Sequence, residues 1–132
     1  MYLYFMRHGI AEENAMDDAA RPLTQTGREN IEKAARVLKS LGIKPGYIFS
    51  SPRVRARQTA QIVAETLGCA LEIREEVNFG FNAEAVAKLI HGLPDDNEVL
   101  FVGHETDMSQ TVRALTGGGR VEMKKGGFAR VD

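Results

Sequence analysis

Three uninterrupted apolar runs limit the folds open to this chain: Tyr2–Met6, Tyr47–Phe49 and Val99–Val102. A strand that is apolar on both sides is buried on both faces, which is typical of a parallel sheet covered by helices. Two further runs, Leu71–Ile73 and Phe128–Val131, are also predicted to be strands. The pattern therefore predicts five short strands.

Four segments with apolar residues at helical spacing separate these strands. The first helix is predicted to be capped by Thr24 or Thr26, and the third by Asn82. The second is predicted to begin at Ser51 and Pro52, because serine is favoured as an N-cap and proline as the first helical residue. Strands that alternate with helices predict an α/β fold, a three-layer αβα sandwich with a mostly parallel central sheet.

The composition is that of a soluble globular protein, with 43% hydrophobic and 27% charged residues, and 132 residues fit a single domain. The net charge of -1 gives no general attraction to nucleic acid or to a membrane, so any anion site has to be a local cluster. A single cysteine, Cys69, fits a structural thiol and a reducing, cytoplasmic location. Because the chain stops at its last predicted strand, we expect a C-terminal segment beyond Asp132.

Charged side chains follow four of the predicted strands at their carboxyl ends. Arg7 and His8 follow the first strand, Arg55 lies in the helix after the second, Glu76 follows the third and His104 follows the fourth. Open α/β sheets bind their ligands at this edge, so we expect the two arginines and two histidines to converge there. Arginine matches a phosphoryl group in geometry and in charge, and a helix N-terminus adds N–H donors. The sequence therefore predicts a phosphate site.

The motifs that carry these residues resemble those of the histidine phosphatase superfamily. They occur in the same order along nearly the whole chain: Arg7-His8-Gly9, Arg21-Pro22-Leu23-Thr24-Gln25-Thr26-Gly27, the segment from Ser50 to Ala60, and Val102-Gly103-His104. The short chain and its short segment before the fourth strand look most like the SixA-type phosphohistidine phosphatases. The resemblance implies a phosphoglycerate-mutase-like fold and a phosphatase activity.

The resemblance also implies a role for each matched residue. His8 matches the nucleophile of the family, which attacks phosphorus and forms a phosphohistidine that water then hydrolyses. Arg7, Arg55 and protonated His104 match the phosphate-binding set, which stabilises the charge of the transition state. One ring nitrogen of His8 has to be unprotonated, so we expect the other to donate to a carbonyl or carboxylate oxygen. No metal or other cofactor is implied, since cationic side chains take the place of a magnesium ion.

The proton donor and the substrate stay open at this point. Glu76 lies where family members that act on oxygen esters place an acidic residue, but a solvated loop glutamate is an equally good interpretation. With Glu76 as the acid, the protein is a phosphatase of small phosphate monoesters. Without it, the expected substrate is phosphohistidine on a partner protein such as a phosphorelay domain, because an imidazole leaving group needs less help from an acid. The alternative to an enzyme is a module that binds phosphate or phosphohistidine without turnover. The presence of a nucleophile disfavours this alternative, because a binding module does not need one.

Other charged residues have more ordinary interpretations. Arg21 is predicted either to neutralise Asp17 or Asp18 or to reach the phosphate. Arg53 and Arg57 lie two positions on either side of the matched arginine of the second helix, so they are predicted to form a solvated face, with the alternative that one of them lines the rim of the site.

Overall fold

The computed structural model describes all 132 residues, and strands and helices alternate along the chain as predicted. The strands are β1 (Tyr2–Arg7), β2 (Tyr47–Ser50), β3 (Leu71–Ile73), β4 (Glu98–Gly103) and β5 (Phe128–Val131). The helices are α1 (Gln25–Ser40), α2 (Val54–Leu67), α3 (Ala83–Ile90) and α4 (Asp107–Leu115). Two single-turn 3-10 helices lie in loops, at Asp18–Ala20 and Glu75–Val77. None of the helices combines the length and the apolar character needed to cross a bilayer.

The five strands form one mixed sheet in the order β3-β2-β4-β1-β5. The pairs β2–β3, β2–β4 and β1–β4 are parallel, and β5 is antiparallel to β1. The predicted, mostly parallel sheet is therefore confirmed. Because β1 to β4 all run in the same direction, their carboxyl ends meet at one edge, where the predicted site residues lie.

Alternate residues of β1 belong to two separate cores on the two faces of the sheet. Tyr4 and Met6 pack with the apolar faces of α1 and α2, whereas Phe5 packs with those of α3 and α4. All three side chains are buried. The alternation explains why the run is apolar at every position, and it confirms the three-layer αβα arrangement.

The ends of the helices agree with the sequence at two places and differ at one. The side chain of Thr24 caps α1 by accepting from the Gly27 N–H, and Asn82 caps α3 in the same way. Helix α2, however, begins two residues later than predicted, with Arg53 as its N-cap. Ser51 Oγ accepts from the Arg53 N–H at 3.2 Å, which forms a tight turn before the helix. Ser51 thus belongs to the site and does not cap the helix.

Candidate active site

His8 lies directly after β1, and the next residue fixes the orientation of its ring. Its Nδ1 lies 2.6 Å from the carbonyl oxygen of Gly9, so Nδ1 carries the proton and donates to that oxygen. Burial lowers the pKa of His8 to about 4, and the charges of Arg55 and Arg7 contribute to the lowering. His8 is therefore neutral at pH 7, and its Nε2 presents a lone pair. The expected donation from the second ring nitrogen is present.

The backbone around His8 is tied to three other segments. The His8 N–H donates to the carbonyl oxygen of Gly103 at 3.0 Å, and the His8 carbonyl accepts from the Gly126 N–H at 3.0 Å. The Gly9 N–H donates to Thr59 Oγ1 at 3.1 Å. A Cβ atom at Gly9 would lie only 2.8 Å from a side-chain carbon of its neighbour in α1. Only glycine fits here without displacing Ile31. The hydrogen bonds and this close packing together hold His8 at the edge of the sheet.

His104 lies directly after β4, and its ring centroid is 5.4 Å from that of His8. Burial lowers the pKa of His104 to about 3, and the charges of His8 and Arg55 lower it further. The ring is therefore neutral at pH 7 in the free protein, whereas the sequence predicts its protonated form in the transition state. A bound anion is needed to favour the charged form.

The hydrogen bonds of Ser51 determine which nitrogen of His104 carries the proton. Ser51 Oγ already accepts from the Arg53 N–H, and it lies 2.8 Å from His104 Nε2. Because the buried hydroxyl has no other acceptor for its own proton, it donates to Nε2, and the proton of the neutral ring lies on Nδ1. His104 Nδ1 is buried and has no hydrogen-bond partner.

Arg7 and Arg55 each have one buried N–H group without a partner. In both side chains this group is Nε. Each guanidinium is also bound to a backbone carbonyl: Arg7 Nη1 donates to the carbonyl oxygen of Met123 at 3.1 Å, and Arg55 Nη1 donates to that of Asp18 at 2.9 Å. Buried donors in native proteins almost always have partners. Together with Nδ1 of the second histidine, they give three free donors near His8, an arrangement that fits a bound oxyanion.

Asp18 is the one carboxylate that pairs with this group of arginines. Its oxygens lie 3.1 Å from Arg21, 2.6 Å from Arg53 and 3.2 Å from Arg55. The hydrogen bond from Arg21 is the main reason that the pKa of Asp18 is lowered. Of the alternatives for Arg21, the structure thus shows the pairing with Asp18. The pairing of Asp18 with Arg53 and Arg55 was not predicted, because Asp18 lies in a polar segment without periodicity.

The prediction that Arg53 belongs to a solvated face is wrong. Its side chain is only 19% exposed, and its Nε donates to Asn78 Oδ1 at 2.8 Å. Its guanidinium lies 3.8 Å above the ring of Phe79. As the N-cap, Arg53 has an extended backbone (ψ 138°), so helical spacing does not determine where its side chain lies. It joins the loop that carries Asp18 to the loop after β3.

Glu76, the predicted acid, pairs with cations outside this group. Its carboxylate lies 2.7 Å from Arg74 and 3.5 Å from Lys88. The hydrogen bond from Arg74 lowers the pKa of Glu76 to about 2, so the side chain is ionised at pH 7. It makes no hydrogen bond or ion pair with His8 or His104. These contacts favour the interpretation as a structural loop glutamate.

Glu105, which was not among the predicted site residues, lies beside the site. Its carboxylate accepts from the N–H and the hydroxyl of Ser109 and, at 3.1 Å, from the N–H of Met123. The carbonyl of Met123 in turn holds Arg7. A cavity of about 480 Å³ lies beside Arg7, and Glu105, Ser109 and Met123 also line it. Glu105 thus fixes the loop that orients Arg7.

Comparison with known proteins identifies the family. Residues 3–81 match the family model of the histidine phosphatase superfamily (branch 1). An uncharacterised protein of Picosynechococcus sp. is 35% identical, over 97% of this chain and 82% of its own length. The phosphohistidine phosphatase SixA of Escherichia coli is 29% identical, over 79% of this chain and 67% of its own.

Solved structures agree with this assignment. The protein histidine phosphatase SixA in complex with tungstate superposes with a TM-score of 0.91 at 26% identity, and the match covers 100% of this chain and 88% of that one. A phosphohistidine phosphatase SixA from Agrobacterium tumefaciens, described as putative, gives a TM-score of 0.87 at 25% identity, covering 99% and 91% of the two chains. The resemblance found in the sequence is confirmed: the chain belongs to the histidine phosphatase superfamily and has its phosphoglycerate-mutase-like fold and its phosphatase character.

Proposed function

We propose that this protein removes phosphate from phosphohistidine on a partner protein, through a covalent phosphohistidine intermediate on His8. The observation that carries the proposal is the neutral, oriented ring of His8 beside three buried N–H groups that have no partner. These groups belong to Arg7, Arg55 and His104. A nucleophile next to free donors for three equatorial oxygens is the arrangement that in-line phosphoryl transfer requires.

In the first step, the lone pair of His8 Nε2 attacks phosphorus. The P–N bond of the substrate breaks, and its electron pair remains on the nitrogen of the leaving imidazole. That imidazole departs in neutral form when its other ring nitrogen carries a proton, which it takes from water. The ring of His8 becomes a phosphorylated imidazolium, whose Nδ1–H still donates to the Gly9 carbonyl. Arg7 and Arg55 stabilise the charge on the phosphoryl oxygens.

In the second step, water attacks the phosphorus of the phosphoenzyme. The bond between phosphorus and Nε2 breaks, the electron pair returns to His8, and one proton of the water is released to solvent. Inorganic phosphate leaves, and His8 is neutral again. The lowered pKa of His8 supports this step, because a less basic imidazole is a better leaving group from phosphorus.

Two observations support phosphohistidine over an oxygen ester. An alkoxide leaving group needs a proton from an acid, and the carboxylate of Glu76 is ionised and held by Arg74. The relatives with high structural similarity are described as phosphohistidine phosphatases, and one of them binds tungstate, a tetrahedral oxyanion like phosphate.

The direct test is to trap the intermediate. The purified protein is mixed with a histidine-phosphorylated phosphorelay domain carrying labelled phosphate, and separately with labelled phenyl phosphate, and both reactions are quenched with base. We expect a base-stable, acid-labile label on the wild-type protein and none on His8→Ala. His91→Ala is the matched control, because His91 is exposed, and this variant should be labelled normally.

The relative rates then identify the substrate. Faster labelling by the phosphorelay domain supports the proposal. Faster labelling by phenyl phosphate, together with a loss of about 10²–10⁴-fold in Glu76→Gln, would instead indicate a monoester phosphatase with Glu76 as its acid. Binding of the phosphorelay domain without label or phosphate release would indicate a phosphohistidine-binding module.

A further inference from the structure

Phe79 presents an aromatic ring beside the candidate phosphate site. The residue is 55% exposed, whereas the other five phenylalanines of the chain are buried or half-buried. Its ring centroid lies 4.8 Å from that of His104, at an interplanar angle of 68°. The guanidinium carbons of Arg53 and Arg55 lie 3.8 Å and 5.8 Å from the centroid. One side of the ring therefore contacts the site, and the rest of it is open to solvent.

The backbone holds Phe79 in this place by hydrogen bonds on both sides. The Phe79 N–H donates to Asn78 Oδ1 at 2.9 Å, and the same oxygen accepts from Arg53 Nε. On the other side, the Gly80 N–H donates to Asp107 Oδ2 at 2.9 Å. Phe79 takes no part in the aromatic packing of the core. The loop thus holds an aromatic ring beside the site and leaves it exposed to solvent.

In-line attack determines where the leaving group of the substrate lies. With the phosphoryl group between His8 and the free donors of Arg55 and His104, the bond that breaks points away from His8. Phe79 contacts His104 and the guanidinium groups of Arg53 and Arg55, and more than half of the residue is open to solvent. A planar leaving group that extends from the site past this ring would meet its exposed part.

We propose that Phe79 is a specificity-determining residue that stacks on an aromatic leaving group. Under the proposed function, on which this inference rests, that group is the imidazole ring of phosphohistidine. Offset stacking stabilises such a ring, and the charged form of the imidazole gains a cation–π attraction. An aliphatic leaving group of similar size gains neither.

The test compares the effect of one substitution on pairs of substrates that share the type of bond to phosphorus, with an aromatic leaving group in one member and an aliphatic one in the other. One pair is a phosphohistidine peptide and a phospholysine peptide of the same sequence, both with P–N bonds. The other pair is phenyl phosphate and cyclohexyl phosphate, both with P–O bonds. In Phe79→Leu we expect kcat/KM to fall about 2–10-fold for the aromatic member of each pair, through KM, with the aliphatic member unchanged within about twofold. Phe79→Trp should restore the aromatic preference, and Leu41→Ala, at another exposed apolar residue, should not alter it.

The outcomes separate this inference from the proposed function. Equal losses on the aromatic and aliphatic members, or no loss on either, would overturn the role of Phe79 even if phosphohistidine is hydrolysed. If the wild-type protein does not hydrolyse phosphohistidine but Phe79→Leu selectively slows phenyl phosphate, the proposed substrate is wrong and the role of Phe79 stands.

Discussion

Two groups of charged residues lie at the carboxyl edge of the same sheet, and they differ in burial and pairing. The anion cluster, formed by Arg7, His8, Arg55 and His104, has two residues exposed by no more than 4% and three buried N–H groups without partners. The salt-bridge cluster is formed by Glu72 in β3, Arg74 and Glu76 after that strand, and Lys88 in α3; it is more exposed, and all four charges are joined in ion pairs.

The difference shows that position at the sheet edge does not by itself identify a functional residue. Exposed ion pairs contribute little to stability, whereas a buried donor without a partner is costly and has to be offset elsewhere in the fold. The salt-bridge cluster is complete as it stands. The anion cluster is complete only with an anion, so perturbations of it should have much larger effects on turnover.

The largest effect is expected for Arg55→Ala. This change removes a donor that stabilises the transition state, and kcat should fall about 10²–10³-fold. The rate of phosphoenzyme formation in a single turnover measures the loss directly. Arg57→Ala is the matched control on the same helix, because Arg57 makes no ion pair, and it should retain nearly full activity. A loss of similar size in both variants would mean that α2 is perturbed as a whole and would remove the distinction between the two clusters.

The pH dependence of the anion cluster should also be distinctive. His8 has to be neutral to attack, and its lowered pKa of about 4 keeps it mostly neutral at pH 5. A histidine with the ordinary pKa of about 6.5 would be only about 3% neutral there, a difference of roughly 30-fold in rate. The acid limb of kcat/KM for a stable aryl phosphate, corrected for ionisation of the substrate, should therefore lie near pH 4. A limb near pH 6.5 would contradict the described burial of His8.

The same lowered pKa predicts the direction of a change in stability. Between pH 6.5 and 4 the unfolded chain binds a proton at His8 that the folded chain does not, so the free energy of unfolding should fall as the pH falls through this range. Urea unfolding at pH 7 and pH 4.5 measures the difference. His8→Gln, which has no ionisable group at this position, should lose less stability over the same interval.

A smaller effect is expected at Glu105, which acts through another residue. Removing its carboxylate frees the Met123 loop that holds Arg7. We expect Glu105→Ala to lower kcat about tenfold, in line with the loss of one or two hydrogen bonds, with little change in KM. Glu105→Gln keeps an oxygen acceptor and should recover most of the activity. If the two variants are equally impaired, the negative charge matters more than the positioning of Arg7.

Much of this organisation could be predicted from the sequence because strand direction determines which side chains meet. The runs at Tyr2–Met6 and Val99–Val102 required parallel strands, and the residues that follow them had to share an edge. The N-cap at Asn82 and the strand at Phe128–Val131 were predicted for a different reason, because local sequence patterns determine them. These features depend on neighbours in the sequence or on topology alone.

The rest depends on contacts that no local pattern encodes. Asp18 lies in a polar loop, and only the fold brings it to Arg53 and Arg55, 35 and 37 positions away. Helical spacing gave the wrong environment for Arg53, because the helix begins one residue after it. The neutral state of His104 follows from burial, which the sequence does not measure.

The two clusters each have a carboxylate whose charge can be removed: Asp18 contacts the anion cluster, and Glu76 belongs to the salt-bridge cluster. Asp18→Asn keeps the shape of the side chain but removes a negative charge from Arg53 and Arg55, so inorganic phosphate should bind about two- to fivefold more tightly. Glu76→Gln removes a charge from Arg74 and Lys88, so the same affinity should stay within about twofold. Because Asp18 is half exposed, the gain should shrink as salt is added. Inhibition by phosphate at low and high ionic strength measures both variants, and an equal response would mean that Asp18, like Glu76, only holds its loop.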